Sequence, residues 1–222
     1  GLGDVYKRQA VGDFIGVGFA DQPTAGEIAD WRRRVNALYA EIRRLGAAAG
    51  WRRAWQHWRD TRRDLFRDHP ASPHPDGTAP ALFDYDPAWA LSAALRPFDR
   101  APPAHRLDTG ADGETVLVPL GRTDGLAPAL GQELTVYWLA GYGGGLFLPF
   151  RDGGAATYGG GRYLLDSRKG ADLGTVADGR LILDFNFAFN PSCAYDPTWV
   201  CPLAPAENLS LIHISEPTRQ IR

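Results

Sequence analysis

"RLILDFNFAF", residues 180–189, decides the fold. Successive side chains on an extended chain point to opposite faces. Read that way, Leu181, Leu183, Phe185 and Phe187 line one face, and Ile182, Asp184 and Asn186 line the other. So apolar a face needs a core to cover it, which makes the stretch a strand of a half-covered sheet. A single strand is expected over 180–187.

The same texture runs upstream to Ala81, as short alternating runs broken by Gly, Asp and Pro. Further strands are expected at 89–95, 104–108, 114–120, 132–140, 145–149 and 162–166, with "DTGADGE" (108–114) as a hairpin loop. No helical run intervenes, so the pairing should be mainly antiparallel, in a sandwich, roll or partly closed barrel.

Before Ala81 the period changes. Ile28, Trp31, Val35, Leu38, Tyr39, Ile42 and Leu45 form one stripe of a helix over 24–45. Thr24 and Glu27 fit a capping box, and Gly46 reads as the stop. A second helix is expected from about Trp51 to Phe66, with tryptophans on one face and arginines on the other. "DHPASPHPDGTAP" (68–80) carries too much proline for helix or strand, so it reads as a linker or ordered arm, with His69 and His74 on the surface. The fold class is α+β: a helical hairpin first, a β-rich region second.

The ends read differently. "GLGDVYKRQ" (1–9) and "LSLIHISEPTRQIR" (209–222) match a transposase adaptor translated in its two orientations, as expected of a metagenomic fragment. Both are set aside as artefacts. The expected layout is then a helical segment with a Pro-rich linker over 10–80 and a β-rich domain over 81–208. The alternation of "LSLIHIS" suits it to a strand's place, whereas 1–9 should not pack. The chain has no methionine, so its native start is expected elsewhere and a signal peptide stays open.

Composition excludes several classes. A net charge of −2 offers no basic field, so no nucleic-acid partner is expected. No eighteen consecutive residues are apolar, so no membrane partner is expected either. Two cysteines do not make a disulfide scaffold, and a cytoplasmic location follows as the expectation. Nothing here sets the oligomeric state.

Three segments carry the chemistry. "GYGGGLFLPF" (141–150) and "TYGGGRYLL" (157–165) each hold a glycine triplet after a tyrosine. No helix follows either, so the helix-terminus phosphate site is missing and no cofactor is expected. Tight turns explain both, and close approach to a ligand is the alternative. Arg162 then opens a strand with a guanidinium suited to a carboxylate or planar anion. Asp184 and Asn186 make a polar patch on one strand face.

The last segment is "FNPSCAYDPTWVCPLAPAEN" (189–208), with Cys193 and Cys201 eight residues apart. Zinc needs four ligands, and histidines 57, 69, 74 and 105 could supply the others only by long-range convergence, so no metal is expected. A nucleophilic cysteine needs a nearby base, and none is local. A facing pair, reduced or bridged, is the favoured reading.

"LFRDHPASPH" (65–74), "LFLPFRDGGAATYGGGRY" (146–163) and "LDFNFAFNPSCAYDPTWVCPLAPAEN" (183–208) together resemble the bacterial and archaeal domain-of-unknown-function family 1684. The resemblance spans roughly residues 51–208. This chain departs from it in having Ala204 and Ala206 where prolines are common. The likeness implies no activity. It does imply that Arg162, Tyr163, Asp184, Asn186, Asn190, Cys193, Cys201, Glu207 and Asn208 belong to the shared motif.

Three functions follow as expectations. The first is a domain binding a small anionic or carbonyl ligand, with Arg162 as clamp and Asp184, Asn186 and Asn190 as orienting groups. The second is a hydrolase or isomerase with Asp184 or Glu207 as general base. The third is a protein-interaction module built on the tryptophan-rich helices. For the first two, Arg162 and Asp184 should lie within ion-pair reach, about 4 Å, with Tyr163 turned into the core.

Overall fold

The computed structural model describes residues 23–74, 76–109, 113–152 and 157–210. Helix α1, Ala25–Ala49, begins at Thr24, whose hydroxyl accepts the Glu27 N–H while the Glu27 carboxylate accepts the Thr24 N–H. Both partners of the capping box are in place. Gly46 does not end the helix, which runs on to Ala49 and stops at Gly50, where φ is 89°. Gly46 serves packing instead. A Cβ there would lie 2.7 Å from ring atoms of Trp51, the first residue of α2 (Trp51–Asp68), so only glycine lets the chain double back so tightly.

The hairpin buries Val35, Leu38, Tyr39 and Ile42 against Ala54, Trp55, Trp58 and Leu65. The Trp58 indole donates to the Tyr39 hydroxyl at 3.2 Å. Arg62 does not join the solvent-facing arginines. It is only 7% exposed, with its guanidinium about equally close to the rings of Trp58, Phe66 and Phe189. Three electron-rich faces offset part of the cost of desolvating that cation.

The Pro-rich arm packs as well. His69, expected on the surface, is buried because its ring sits against Trp31 and bonds the Asp30 carboxylate at 3.1 Å, while its Nδ1 accepts the Ala71 N–H. His74 is half-buried against Tyr195.

The sheet comprises β1 (Ala90–Pro97), β2 (His105–Asp108), β3 (Glu114–Asp124), β4 (Thr135–Leu139), β5 (Gly145–Asp152), β6 (Arg162–Asp166), β7 (Leu181–Asp184) and β8 (Leu209–Ser210). A short helix, α3 (Ala127–Leu130), separates β3 from β4. The order is β6-β5-β4-β3-β1-β7, with β2 added to β3 and β8 to β5. Every pairing is antiparallel except the parallel β5–β8 contact. The two ends of this path meet where Tyr163 of β6 and Phe189, just beyond β7, exchange backbone hydrogen bonds of 2.8 and 3.0 Å. That single exchange turns the sheet into a nearly closed barrel.

All seven expected strands form, but β7 is shorter than its alternation suggests. It stops at Asp184, whose carboxylate accepts the Asn186 N–H at 2.9 Å and caps a 3-10 turn over Phe185–Phe187. A short acidic side chain that bonds its own backbone competes with the ladder. The turn also sends two phenylalanines to different cores. Phe185 joins Val136, Leu148, Phe150, Leu164 and Leu183 in the barrel, whereas Phe187 joins the helices. The Trp55 indole donates to the Asn186 carbonyl, fixing α2 to the same turn.

Asn208 completes the sheet from outside its ladders. Fully buried, it accepts the Thr135 N–H and donates to the carbonyls of Thr135 and Pro149, at 2.7–2.9 Å. Its amide thus satisfies backbone groups of β4 and β5 beyond the point where those strands pair. Leu209 and Ser210, the start of the terminal tail, then run beside Arg151 and Asp152. Residues 1–9, 110–112 of the hairpin loop and 211–222 lie outside the described residues.

Candidate functional site

Arg162 follows Gly161, which has φ of 90° and whose Cβ, if present, would meet the Phe150 carbonyl at 2.6 Å. The triplet therefore lets β6 lie close on β5. Arg162 is 2% exposed, stacks on Phe150, and pairs with Asp152 at 2.7 Å. Asp152 also accepts the Thr157 hydroxyl. The expected pairing of Arg162 with Asp184 is thus corrected: the carboxylate belongs to β5. The cause is topological. Strands β5 and β6 form a hairpin, whereas β6 and β7 are opposite ends of the strand order, joined through the backbone bridge of Tyr163 to Phe189 beyond β7. Tyr163 points into the core with Leu117, Tyr137 and Phe147, and its hydroxyl donates to the Pro202 carbonyl.

Asp184 is 1% exposed and accepts hydrogen bonds from the Tyr85 hydroxyl and from the backbone and side-chain N–H groups of Asn186. Burial pushes its carboxyl up to about 6, against the lowering effect of those three donors. The Asn186 amide exchanges two further bonds with the backbone of Asp86, tying the approach to β1 to the turn after β7. Asn190 is buried one residue beyond the seam. Asp184 and Asn186 come together, then, but without Arg162.

Glu207 makes a second polar group. Its Oε1 accepts the buried Tyr137 hydroxyl and meets His105 Nε2, each at 2.7 Å. The side chains of His105 and Glu207 are 37% and 36% exposed, so the pair opens to solvent while its anchor does not. Burial would raise the Glu207 carboxyl, but bonds from Tyr137, its own backbone and His105 outweigh that and hold it below the usual range. Burial and the adjoining carboxylate push the Tyr137 phenol well up. Sequence reasoning named His105 only as a remote metal candidate. The contact spans 102 residues and has no local signature.

Cys193 and Cys201 are both free and half-buried. The Tyr158 hydroxyl lies 3.6 Å from Cys193 Sγ. Among the described residues, no three His, Cys, Asp or Glu side chains gather as a metal site, and no helix is long and apolar enough to cross a membrane.

Two grooves of about 830 and 800 Å³ both border the helices and the Pro-rich arm. Glu27, Asp30 and His57 line the first, and Phe66, His74 and Trp199 the second. Arg162, Asp184, Asn186, Asn190 and Glu207 line neither. These two hollows and the polar clusters are separate features.

The chain is similar to the solution NMR structure of the uncharacterised protein from gene locus rrnAC0354 of Haloarcula marismortui. Identity is 28% and the TM-score 0.52, over 79% of this chain and 97% of that one. No curated protein matches this chain. The family model described as "Protein of unknown function (DUF1684)" matches residues 79–215, from the end of the arm through the sheet, and the chain belongs to that family.

Proposed function

We propose that the β region binds a small hydroxyl- or amine-bearing ligand at His105 and Glu207. The observation that carries this reading is the 2.7 Å contact between His105 Nε2 and Glu207 Oε1, half-exposed on a buried tyrosine. With Glu207 ionised, Nε2 carries the proton, which leaves Nδ1 an acceptor in the neutral ring. Among the described residues, neither Nδ1 nor Glu207 Oε2 has a hydrogen-bond partner. Two outward acceptors suit a ligand that donates. An anionic ligand, expected from Arg162, loses its cation here, because Asp152 already balances that guanidinium.

The test is a chemical-shift titration of the labelled protein against a panel of small polyols, amines, carboxylates and carbonyl compounds. Polyols or amines should move the amides of residues 105, 137 and 207, and Glu207→Gln should abolish the response. Shifts confined to the helix-side grooves, or a response to carboxylates alone, would overturn the assignment.

A second reading, a hydrolase or isomerase, draws on the same pair with His105 as a base oriented by Glu207, or on Asp184, whose carboxyl at about 6 suits proton transfer near neutral pH. Turnover of a bound panel member, lost in His105→Asn or Asp184→Asn, separates it from binding alone.

A further inference from the structure

We propose that Arg62 receives a planar monovalent oxyanion, a small carboxylate such as acetate, where the helical hairpin meets the barrel seam. This site lies apart from His105 and Glu207 and does not depend on the reading above.

Among the described residues two arginines are buried, Arg62 and Arg162. Arg162 has the Asp152 carboxylate at 2.7 Å. Arg62 has no such partner. No described residue gives it an ion pair or a hydrogen bond, and its Nε is shut off from solvent without an acceptor. Acids are not scarce on α2: Asp60 pairs with Arg59, and Asp64 and Asp68 pair with Arg67. Those three carboxylates are exposed, whereas the one buried arginine of the helix faces the rings of Trp58, Phe66 and Phe189 at 5.1–5.2 Å.

The rings do part of a counterion's work. Aromatic faces attract the charge, but they offer the N–H donors of the guanidinium no oxygen to bond. A buried cation left in that state is costly, and an anion at its edge removes the cost. The planar fork of a guanidinium matches a carboxylate through two parallel charge-assisted bonds. So apolar a setting also selects among anions, because phosphate, as a dianion, loses more on leaving water than a monovalent carboxylate does.

Phe66 links the cation to open space. Its ring lies 5.2 Å from the Arg62 Cζ and also lines the groove of about 800 Å³ that His74 and Trp199 border. Phe66 thus touches both the guanidinium and a hollow that admits a small molecule. The groove's own carboxylates, Glu27, Asp68 and Asp196, are engaged by Thr24, Arg67 and Thr198, so none of them serves Arg62.

The isotope-labelled full chain should be titrated with sodium acetate against sodium chloride at matched ionic strength, reading the arginine Nε–H signals by NMR. The Arg62 signal is assigned in the unmodified chain by its NOEs to the rings of Phe66 and Phe189, so no variant is needed to read it. Acetate should move that signal downfield to saturation, and chloride should not. The Arg162 signal should stay in place, because Asp152 already holds that guanidinium. The melting temperature should rise saturably with acetate alone. Arg62→Met should weaken acetate binding at least about tenfold. An Arg62 signal that acetate leaves unmoved, or moves no more than chloride does, would overturn the proposal. So would a rise in melting temperature that persists undiminished in Arg62→Met.

Discussion

Arg162 and Asp152 face each other at 2.7 Å across the β5–β6 hairpin, with side chains 2% and 0% exposed. Removing one member of so enclosed a pair leaves the other charge buried without its counterion, at a cost of about 3–5 kcal/mol. Arg162→Met and Asp152→Ala should each lose stability on that scale, measured by urea denaturation. The double variant should lose clearly less than the sum, because neither charge is then stranded. Additive losses would mean that the two side chains act through separate partners.

Asp184 offers a test in pH. Its carboxyl lies at about 6 in the folded chain against an ordinary 3.8, so the native state holds more protons than the unfolded one between those values. The stability it contributes is complete below about pH 4 and is lost as the pH rises through about 6, a change on the order of 3 kcal/mol. Asp184→Asn keeps an oxygen for the two Asn186 donors and removes the charge. The substitution should therefore raise stability by about 1–3 kcal/mol at pH 8 and change little at pH 4. Equal effects at both pH values would show that Asp184 titrates normally.

Gly46→Ala reverses a familiar rule. In an exposed helix interior the change gains about 1 kcal/mol. Here the new methyl meets the Trp51 ring at 2.7 Å, and crowding of that kind typically costs about 1–3 kcal/mol. The substitution should lower the melting temperature in the parent chain and raise it in a Trp51→Ala background. A gain in both backgrounds would place the ring elsewhere.

The strands were legible because each is a short period-two run between turn residues, and α1 was legible from its stripe and from the Thr24–Glu27 box. What escaped were choices made by contacts. Gly46 reads as a stop until Trp51 is seen lying over it. The alternation through Phe187 hides the turn, since nothing in the pattern says that Asp184 will bond the Asn186 N–H instead of leaving it to a neighbouring strand. No sequence pattern singles out Asp152, and its match with Arg162 depends on a register that shifts between Leu148 and Pro149. The meeting of His105 and Glu207 depends on how β2, paired to β3, and the last loop both reach Tyr137 of β4, which no local pattern encodes.

The single exchange between Tyr163 and Phe189 is the shortest lap in the barrel, and it sits under the Arg62 guanidinium and beside the helical core. Opening it breaks two backbone hydrogen bonds and draws the Phe189 ring away from the helices at the same time. Solvent deuterium should therefore enter at the amides of Tyr163 and Phe189 in concert, and at the same rate as it enters the buried face of α2. The β3–β4 ladder should keep its protons until the whole chain unfolds. One tick of the exchange clock would then time both events: the barrel letting go of its own edge, and the hairpin letting go of the barrel.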